Sequence, residues 1–382
     1  MDLRLALLAF TAFAVGLDEN IVVGILPQLA RDLGVEVAAA GQLTSLFSLT
    51  LAIAAPLLWW ATRALERRRL LCLALLGFAL ANLLAALSPG YATLALTRVA
   101  MAACCGLILV LATTQATRIA APEFRGRAIG LVFMGVSAAL VLGVPLGILV
   151  SDAFGWRWVF AGIGLYSLPL AWLLHRLLPT GHADALPGWS AWRLQLGHPA
   201  LALGHGVSVL MIGGHFCLFA FLGPWLLATG QASGAGDSGL MFLLFGVAAV
   251  SGGWLGGLLV DRVAPQRALV GVPGLFLLAL ASLALAVGGP LSVPLLMAWS
   301  ALSWMISPVV QSYLLARHPQ SAEAAVAVNS SAMHLGVALG GAVGGLAAHR
   351  DLLLTPWVGC LLVAAALACA LLARRAPQVI PG

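Results

Sequence analysis

Two acids stand side by side in an otherwise apolar run, Asp18 and Glu19 in AFTAFAVGLDENIVVGILPQLA. They are the carboxylates that fall well inside a stretch long enough to cross a bilayer. A charge at the centre of a membrane costs at least ~2.5–3.5 kcal/mol on insertion scales, so such a residue reads as functional by default. An acid shielded from water can take up and release a proton near neutral pH, and two neighbouring carboxyls resist double ionisation and titrate as a unit. Consecutive helix residues point about 100° apart, so the two acids face different partners. Gly16, Asn20 and Gly24 follow at every fourth position, a small, polar stripe suited to close helix contact or to a cavity wall. The competing reading is a buried acid paired with an arginine or a helix end.

The remaining polar groups in apolar surroundings are few. Arg98, in LALTRVAMAACCG, is the lone base within a span. It can counter the acids, bind an anionic group, or bridge to backbone carbonyls. His205, His215 and His334 can carry protons or simply hydrogen-bond between helices. Gln42, Gln115, Gln311 and Asn329 can line a wet cavity or join helices. Trp304, Phe216 and Phe219 can stack on a substrate or pack. The six cysteines lie in apolar stretches without CxxC or Cys/His spacing and read as buried thiols; no metal site is expected. GxxxxGK[ST], HExxH and GxSxG are absent, so no ATP-driven, zinc-protease or serine-hydrolase chemistry is expected, and no catalytic residue is assigned.

The elements that position these groups follow from composition. The 382 residues are 62% hydrophobic and 8% charged, against about 25% charged in soluble domains. Lipid must therefore solvate most of the surface. Twelve runs are apolar over the roughly 20 residues a span needs: 5–27, 40–60, 70–88, 91–113, 127–150, 156–178, 199–228, 238–260, 268–288, 291–314, 324–347 and 352–373. The first is long, carries acids and lacks a cleavage site, so it reads as a span rather than a signal peptide. The net charge of +6 comes from arginine alone and tracks topology rather than nucleic-acid binding. With the N-terminus inside, the outer loops hold Arg31, Arg157 and Arg350, and all the other loop arginines, such as Arg67 to Arg69 and Arg374, lie inside. This bias places both termini in the cytoplasm. The longest polar break separates a six-span bundle, 1–178, from a second, 199–382, through a cytoplasmic linker, 179–198, with an amphipathic piece around Trp189 to Leu196.

The second inner loop of each half repeats. The C-terminal copy reads Gly257-Leu258-Leu259-Val260-Asp261-Arg262. The N-terminal copy places Trp59 and Arg63 where the other has glycine and acid, and keeps a basic tail at Arg67 to Arg69. The same offset carries Glu19 onto Cys217, two residues from His215. Two such halves fit a transporter whose repeats rock around a midplane site.

On these stretches, with LDENIVVGILPQLARDLGV, GHFCLFAFLGPWL and NSSAMHLGVALGGAVGGL, the chain resembles the major facilitator superfamily over essentially its whole length, and within it the sugar-efflux and drug:proton antiporter branch. Gly257, Asp261 and Arg262 resemble the family's loop motif, Arg98 its fourth-helix arginine, and Gly135, Gly143, Pro145 and Gly147 a degenerate fifth-helix antiporter motif. The resemblance implies an all-α fold of twelve transmembrane helices in two pseudo-symmetric halves. It also implies a monomeric carrier in a bacterial inner membrane, driven by the proton gradient without a cofactor, whose partners are protons and a small molecule. Glu19 matches the branch's usual acid, so the resemblance favours it as proton carrier, with Asp18 an addition. Asn20, Gln42, Arg98, Gln115, His215, Trp304, Asn329 and His334 are the expected substrate-cavity residues. The departures are Arg63 and Trp59 in the loop, and Met101 and Ala102 where the family has glutamine and glycine; they weaken the N-terminal gating brace and any relay through the fourth helix. The expected function is export of a drug, sugar or nucleoside-like compound by alternating access. The same fold also suits an importer or uniporter; a membrane enzyme or sensor has no motif to support it.

Overall fold

The computed structural model describes residues 2–62, 65–121, 124–180, 189–287, 289–318 and 322–376, and their regular structure is helical throughout. Arg63 of the repeated inner loop lies outside the described residues. Among the described residues, twelve helices are long and apolar enough to cross a membrane, one for each apolar run in the sequence. The chain forms two compact units: Met1–Asp184 with Ala232–Leu243, and Ala185–Gln231 with Leu244–Gly382.

In the first unit, α1 (Leu3–Leu33) is surrounded by α2 (Val37–Ala61), α4 (Tyr91–Ile119), α5 (Arg125–Ala138), α6 (Val144–Phe154) and α7 (Trp156–Leu177). The neighbour α3 (Arg67–Ala86) packs on α4 and α7. Its outward face shows the inverted amphipathicity of a lipid-solvated helix: Leu73, Leu76, Leu80 and Leu84 recur at three- and four-residue steps and are exposed, while Leu71, Leu75, Phe78 and Asn82 are buried. The α1 helix is capped at both ends. The Asp2 carboxylate accepts from the Arg4 amide at 2.9 Å, and Gly34 closes the last turn at φ +63°, where glycine alone is unstrained. Glu66 caps α3, its two carboxylate oxygens accepting from the amides of Arg68 and Arg69 at 2.9 and 3.0 Å. It is thus committed locally, in the loop where the acid of the repeat is missing.

In the second unit, the linker piece is a helix, α8 (Trp189–Gly197), and the following helices are α9 (Pro199–Phe219), α10 (Leu222–Ala228), α11 (Ala235–Arg262, of which the residues from Leu244 on belong to this unit), α12 (Pro265–Leu285), α13 (Ser292–Arg317), α14 (Ala322–Arg350) and α15 (Thr355–Arg375). The contact plan repeats that of the first unit. As α3 packs on α4 and α7, so α12 packs on α13 and α15; α9, like α1, touches most of its unit. The sequence repeat is therefore a repeat of topology.

Two spans are less regular than their hydropathy predicts. The fifth is interrupted by a π turn, Ala139–Gly143, just before Pro145. Pro145 lacks an N–H and its ring crowds the carbonyl four residues earlier, so the ladder slips and the Val144 amide reaches back to the Ala139 carbonyl. The seventh, expected to run over 199–228, breaks between α9 and α10, because Pro224 makes the same demand on the carbonyl of Ala220.

Glycines set the closest helix contacts. A Cβ at Gly135 would overlap the Ala9 carbonyl of α1, and one at Gly147 would overlap Ile21. A Cβ at Gly16 would come within 3.0 Å of Val136, and one at Gly24 within 3.0 Å of Val144, so the small stripe of α1 is a packing seam with α5 and α6. In the second unit, Gly336, Gly340 and Gly344 of α14 lie against the carbonyls of Val209, Gly213 and Cys217. Gly135→Leu is expected to destabilise the protein by at least the ~1–3 kcal/mol of ordinary overpacking, because the obstacle is backbone. Gly162→Leu, which meets open space, is expected to be tolerated. Unfolding midpoints and monodispersity in detergent check the pair.

Candidate functional site

The middle residue of the 31-residue α1 is Asp18, and it is fully buried. From α4, the Arg98 guanidinium reaches it: Nη1 donates to Asp18 Oδ2 at 3.0 Å and to the Asp18 backbone carbonyl at 2.9 Å, and lies 3.7 Å from Met101 Sδ. Neither side chain has any solvent exposure. On its other side the guanidinium lies over the Phe47 ring of α2, Cζ 4.0 Å from the ring centre. A flat, weakly hydrated cation suits an aromatic face in a medium that cannot solvate it. From α3, Asn82 stands beside the Asp18 carboxylate while its Nδ2 donates to the Phe78 carbonyl at 3.1 Å. Four helices therefore meet at one ion pair. Among the described residues it is the only fully buried ion pair; the others are exposed or partly exposed.

Glu19, rotated by one residue, is part-buried and coupled electrostatically to Asp18. Asn20 Nδ2 donates to its own helix at the Gly16 carbonyl, 2.9 Å. The fifth-helix residues lie against the same part of α1: Gly143 faces Phe13 and Leu17, and Gly147 faces Ile21, on either side of Asp18. The motif thus lets α5 and α6 approach the helix that carries the acids.

Other predicted residues lie apart. Gln115 is buried on α4, 17 residues from Arg98 and so about 25 Å along the helix. Gln42 is part-buried on α2. In the second unit, His215 is enclosed by rings: Trp299 at 4.6 Å, Phe219 at 5.1 Å, Phe216 at 5.3 Å, Phe245 at 6.0 Å and Phe276 at 6.2 Å between centres. That surrounding fits a packing histidine. Asn329 is buried and its Oδ1 accepts from Ser208 at 2.7 Å, while the nearby His205 shares a hydrogen bond with Gln195 of α8 at 2.9 Å. This network ties the linker helix to α9 and α14. His334 and Trp304 are part-buried, and Gly257 precedes the exposed Asp261 and Arg262 in the last turns of α11.

Sequence reasoning missed Phe47 and Asn82. Asn82 was discoverable, as an amide in the apolar run of the third span; Phe47 was not, since nothing in its spacing distinguishes it from a packing ring. A second ionic cluster also escaped notice. Asp32, near the end of α1, pairs with Arg157 and accepts from Trp156 Nε1 at 2.7 Å, and Arg157 donates to the Ser88 carbonyl at 3.2 Å. It pins α1, α7 and the turn after α3 at one end of the first unit. The turn into α7 that presents these residues is a single residue, Gly155, at φ +94°.

Comparison with known proteins fits this architecture. The Major Facilitator Superfamily profile matches residues 8–341. The chain is 33% identical to the uncharacterized MFS-type transporter YbcL of Bacillus subtilis, over 97% of this chain and 95% of that one. It is 32% identical to a chloramphenicol resistance protein of Streptomyces lividans, over 96% and 95%. Among solved structures, a bacterial homologue of the human lysosomal transporter Spinster superposes with a TM-score of 0.82 at 18% identity, covering 99% and 98% of the two chains. The chain belongs to the major facilitator superfamily and is a multi-pass membrane transporter, not an enzyme.

Proposed function

We propose that this transporter exports a small organic molecule, drug, sugar or nucleoside-like, in exchange for protons, by alternating access in a bacterial inner membrane with both termini in the cytoplasm. The observation that carries the coupling is the Asp18–Arg98 pair at the middle of α1, with neither side chain exposed. A buried pair is a two-state element: with Asp18 ionised, Arg98 is neutralised and held to α1; with Asp18 protonated, the charge of Arg98 loses its partner and the contact between α1 and α4 weakens. Proton binding is thereby converted into a change in how two helices of one bundle are held. Export is supported by the antiporter-like Gly143, Pro145 and Gly147 against α1, and by the resistance named for the Streptomyces relative. The arginine bias supports the orientation.

Everted membrane vesicles containing the protein, given a panel of chloramphenicol, simple sugars and nucleosides, test the reading. An acid interior is expected to drive uptake of at least one compound, and a protonophore to abolish it. Uptake indifferent to the pH gradient for every compound that moves would remove proton coupling; uptake confined to right-side-out vesicles would remove export.

A further inference from the structure

Around the Asp18–Arg98 pair, several polar atoms are buried without a hydrogen-bond partner. They are Asp18 Oδ1 on α1, Asn82 Oδ1 on α3, Arg98 Nε and Nη2 on α4, and the hydroxyls of Thr44 and Ser48 on α2. Thr44 and Ser48 share the buried α2 stripe Thr44, Phe47, Ser48, Leu51, and Phe47 is the ring on which the guanidinium lies. The stripe therefore presents its hydroxyls to the same interior.

These hydroxyls, like those of the buried Ser45 and Ser151, have no hydrogen-bond partner. Thr11, Thr50, Thr62, Thr113 and Ser167 each donate to the carbonyl four residues earlier, at 2.5–2.9 Å, the usual refuge of a hydroxyl in an apolar helix. Thr44 and Ser48 do not, although they are more deeply buried than Thr50 on the same helix. A buried hydroxyl left unbonded costs about 1–3 kcal/mol. The orphan atoms are also complementary without being bonded to one another. Carboxylate and amide oxygens only accept, guanidinium nitrogens only donate, and hydroxyls do both. What satisfies such a set is a guest that donates and accepts at once. With every contributing residue at most 2% exposed, the guest must be small.

We infer that the N-terminal unit holds an internal water site between α1, α2, α3 and α4, bounded by Asp18, Thr44, Ser48, Asn82 and Arg98, and that its water carries the proton to and from Asp18. A buried water makes about three hydrogen bonds to groups of this kind. The other titratable groups near Asp18 are Glu19 on α1 and Cys104 and Cys105 on α4. The site itself stands on this geometry; its role as a proton route rests on the coupling proposed above.

A structure of the full chain at a resolution that shows ordered water decides the site. Water within hydrogen-bond distance of Asp18 Oδ1 and of the Thr44 or Ser48 hydroxyl is expected. Hydroxyls turned instead onto the carbonyls of Ala40 and Thr44, with no water between the helices, overturn the site. The route is tested without any transported compound, by time-resolved infrared spectroscopy of the Asp18 carboxyl after a pH jump, with Asp18→Asn identifying the band. The double variant Thr44→Val, Ser48→Ala is expected to slow the appearance of that band about tenfold, the equivalent of one hydrogen bond, while Thr50→Val leaves it unchanged. An unchanged rate in the double variant overturns the route. If the water is present and the rate slows, yet Asp18→Asn still transports against a pH gradient, the water site stands and the coupling reading fails.

Discussion

Replacing Arg98 with leucine is expected to be among the most damaging single changes available to this protein, and adding Asp18→Asn is expected to restore much of the loss. Removing one member of a buried ion pair costs about 3–5 kcal/mol, because the other is left uncompensated where no water can reach it. Here the loss is compounded. The Arg98 Nη1 atom serves both the carboxylate and the backbone carbonyl of Asp18, and the guanidinium covers the Phe47 ring, so α1, α2 and α4 lose a common tie. With Asp18→Asn added, no buried charge is left without a counter-charge and only a neutral amide remains, which is why the double variant should recover much of the loss. The measurement is a double-mutant cycle on unfolding midpoints in detergent. Strictly additive losses would mean that the two side chains are not energetically coupled. Arg98→Lys discriminates further: it keeps the charge but not the flat face, and the contribution over Phe47, about 2 kcal/mol for a desolvated cation on a ring, is weakened.

How much of this was legible beforehand depends on which physical rule wrote each feature. Twelve spans were legible because the bilayer imposes a length and a composition, and both are written residue by residue. That Asp18 and Arg98 would need partners was legible for the same reason, since an ionised group in an apolar helix is expensive wherever its partner lies. Their pairing with one another was only one of the alternatives the sequence left open, because it depends on how α1 is rotated in its bundle; the glycine contacts of α1 with the fifth span, such as Gly16 on Val136 and Gly143 on Phe13 and Leu17, are tertiary facts with only a faint trace in the sequence. The one-residue offset between Asp18 and Glu19 illustrates the limit. Motif matching favoured Glu19, whereas a turn of 100° puts Asp18 in the dry interior opposite Arg98 and leaves Glu19 part-buried. The same limit applies to His215, whose titratable ring marked it as a proton partner and whose surroundings are five aromatic rings. The interruption of the fifth span was implicit in Pro145, but only the fold shows that it lies on the helix that carries the acids.

That offset leads to the second large effect. Asp18→Asn is expected to lower transport driven by a pH gradient by at least about tenfold while sparing substrate exchange across vesicles without a gradient. Asparagine keeps the shape of the side chain and an oxygen to accept from Arg98, but has no proton to exchange, so the two-state element is locked. Glu19→Gln removes a charge that is part-buried and not hydrogen-bonded to Arg98, so coupled transport should persist, with a changed preference between cationic and neutral compounds. Vesicle uptake and counterflow, measured side by side for both variants, separate driving force from binding. Asp18→Glu should retain part of the coupled rate, since it restores a protonatable group at the wrong length. The reverse pattern, with Glu19→Gln uncoupled and Asp18→Asn fully active, would make Asp18–Arg98 a structural tie and return the proton to the neighbouring acid. Loss of counterflow along with coupling in Asp18→Asn would instead place Asp18 among the groups that hold substrate. The charge left on Arg98 requires that Asp18→Asn first be shown to be folded, which the unfolding midpoints of the Arg98 cycle supply; Asp18→Glu and Glu19→Gln need the same measurement.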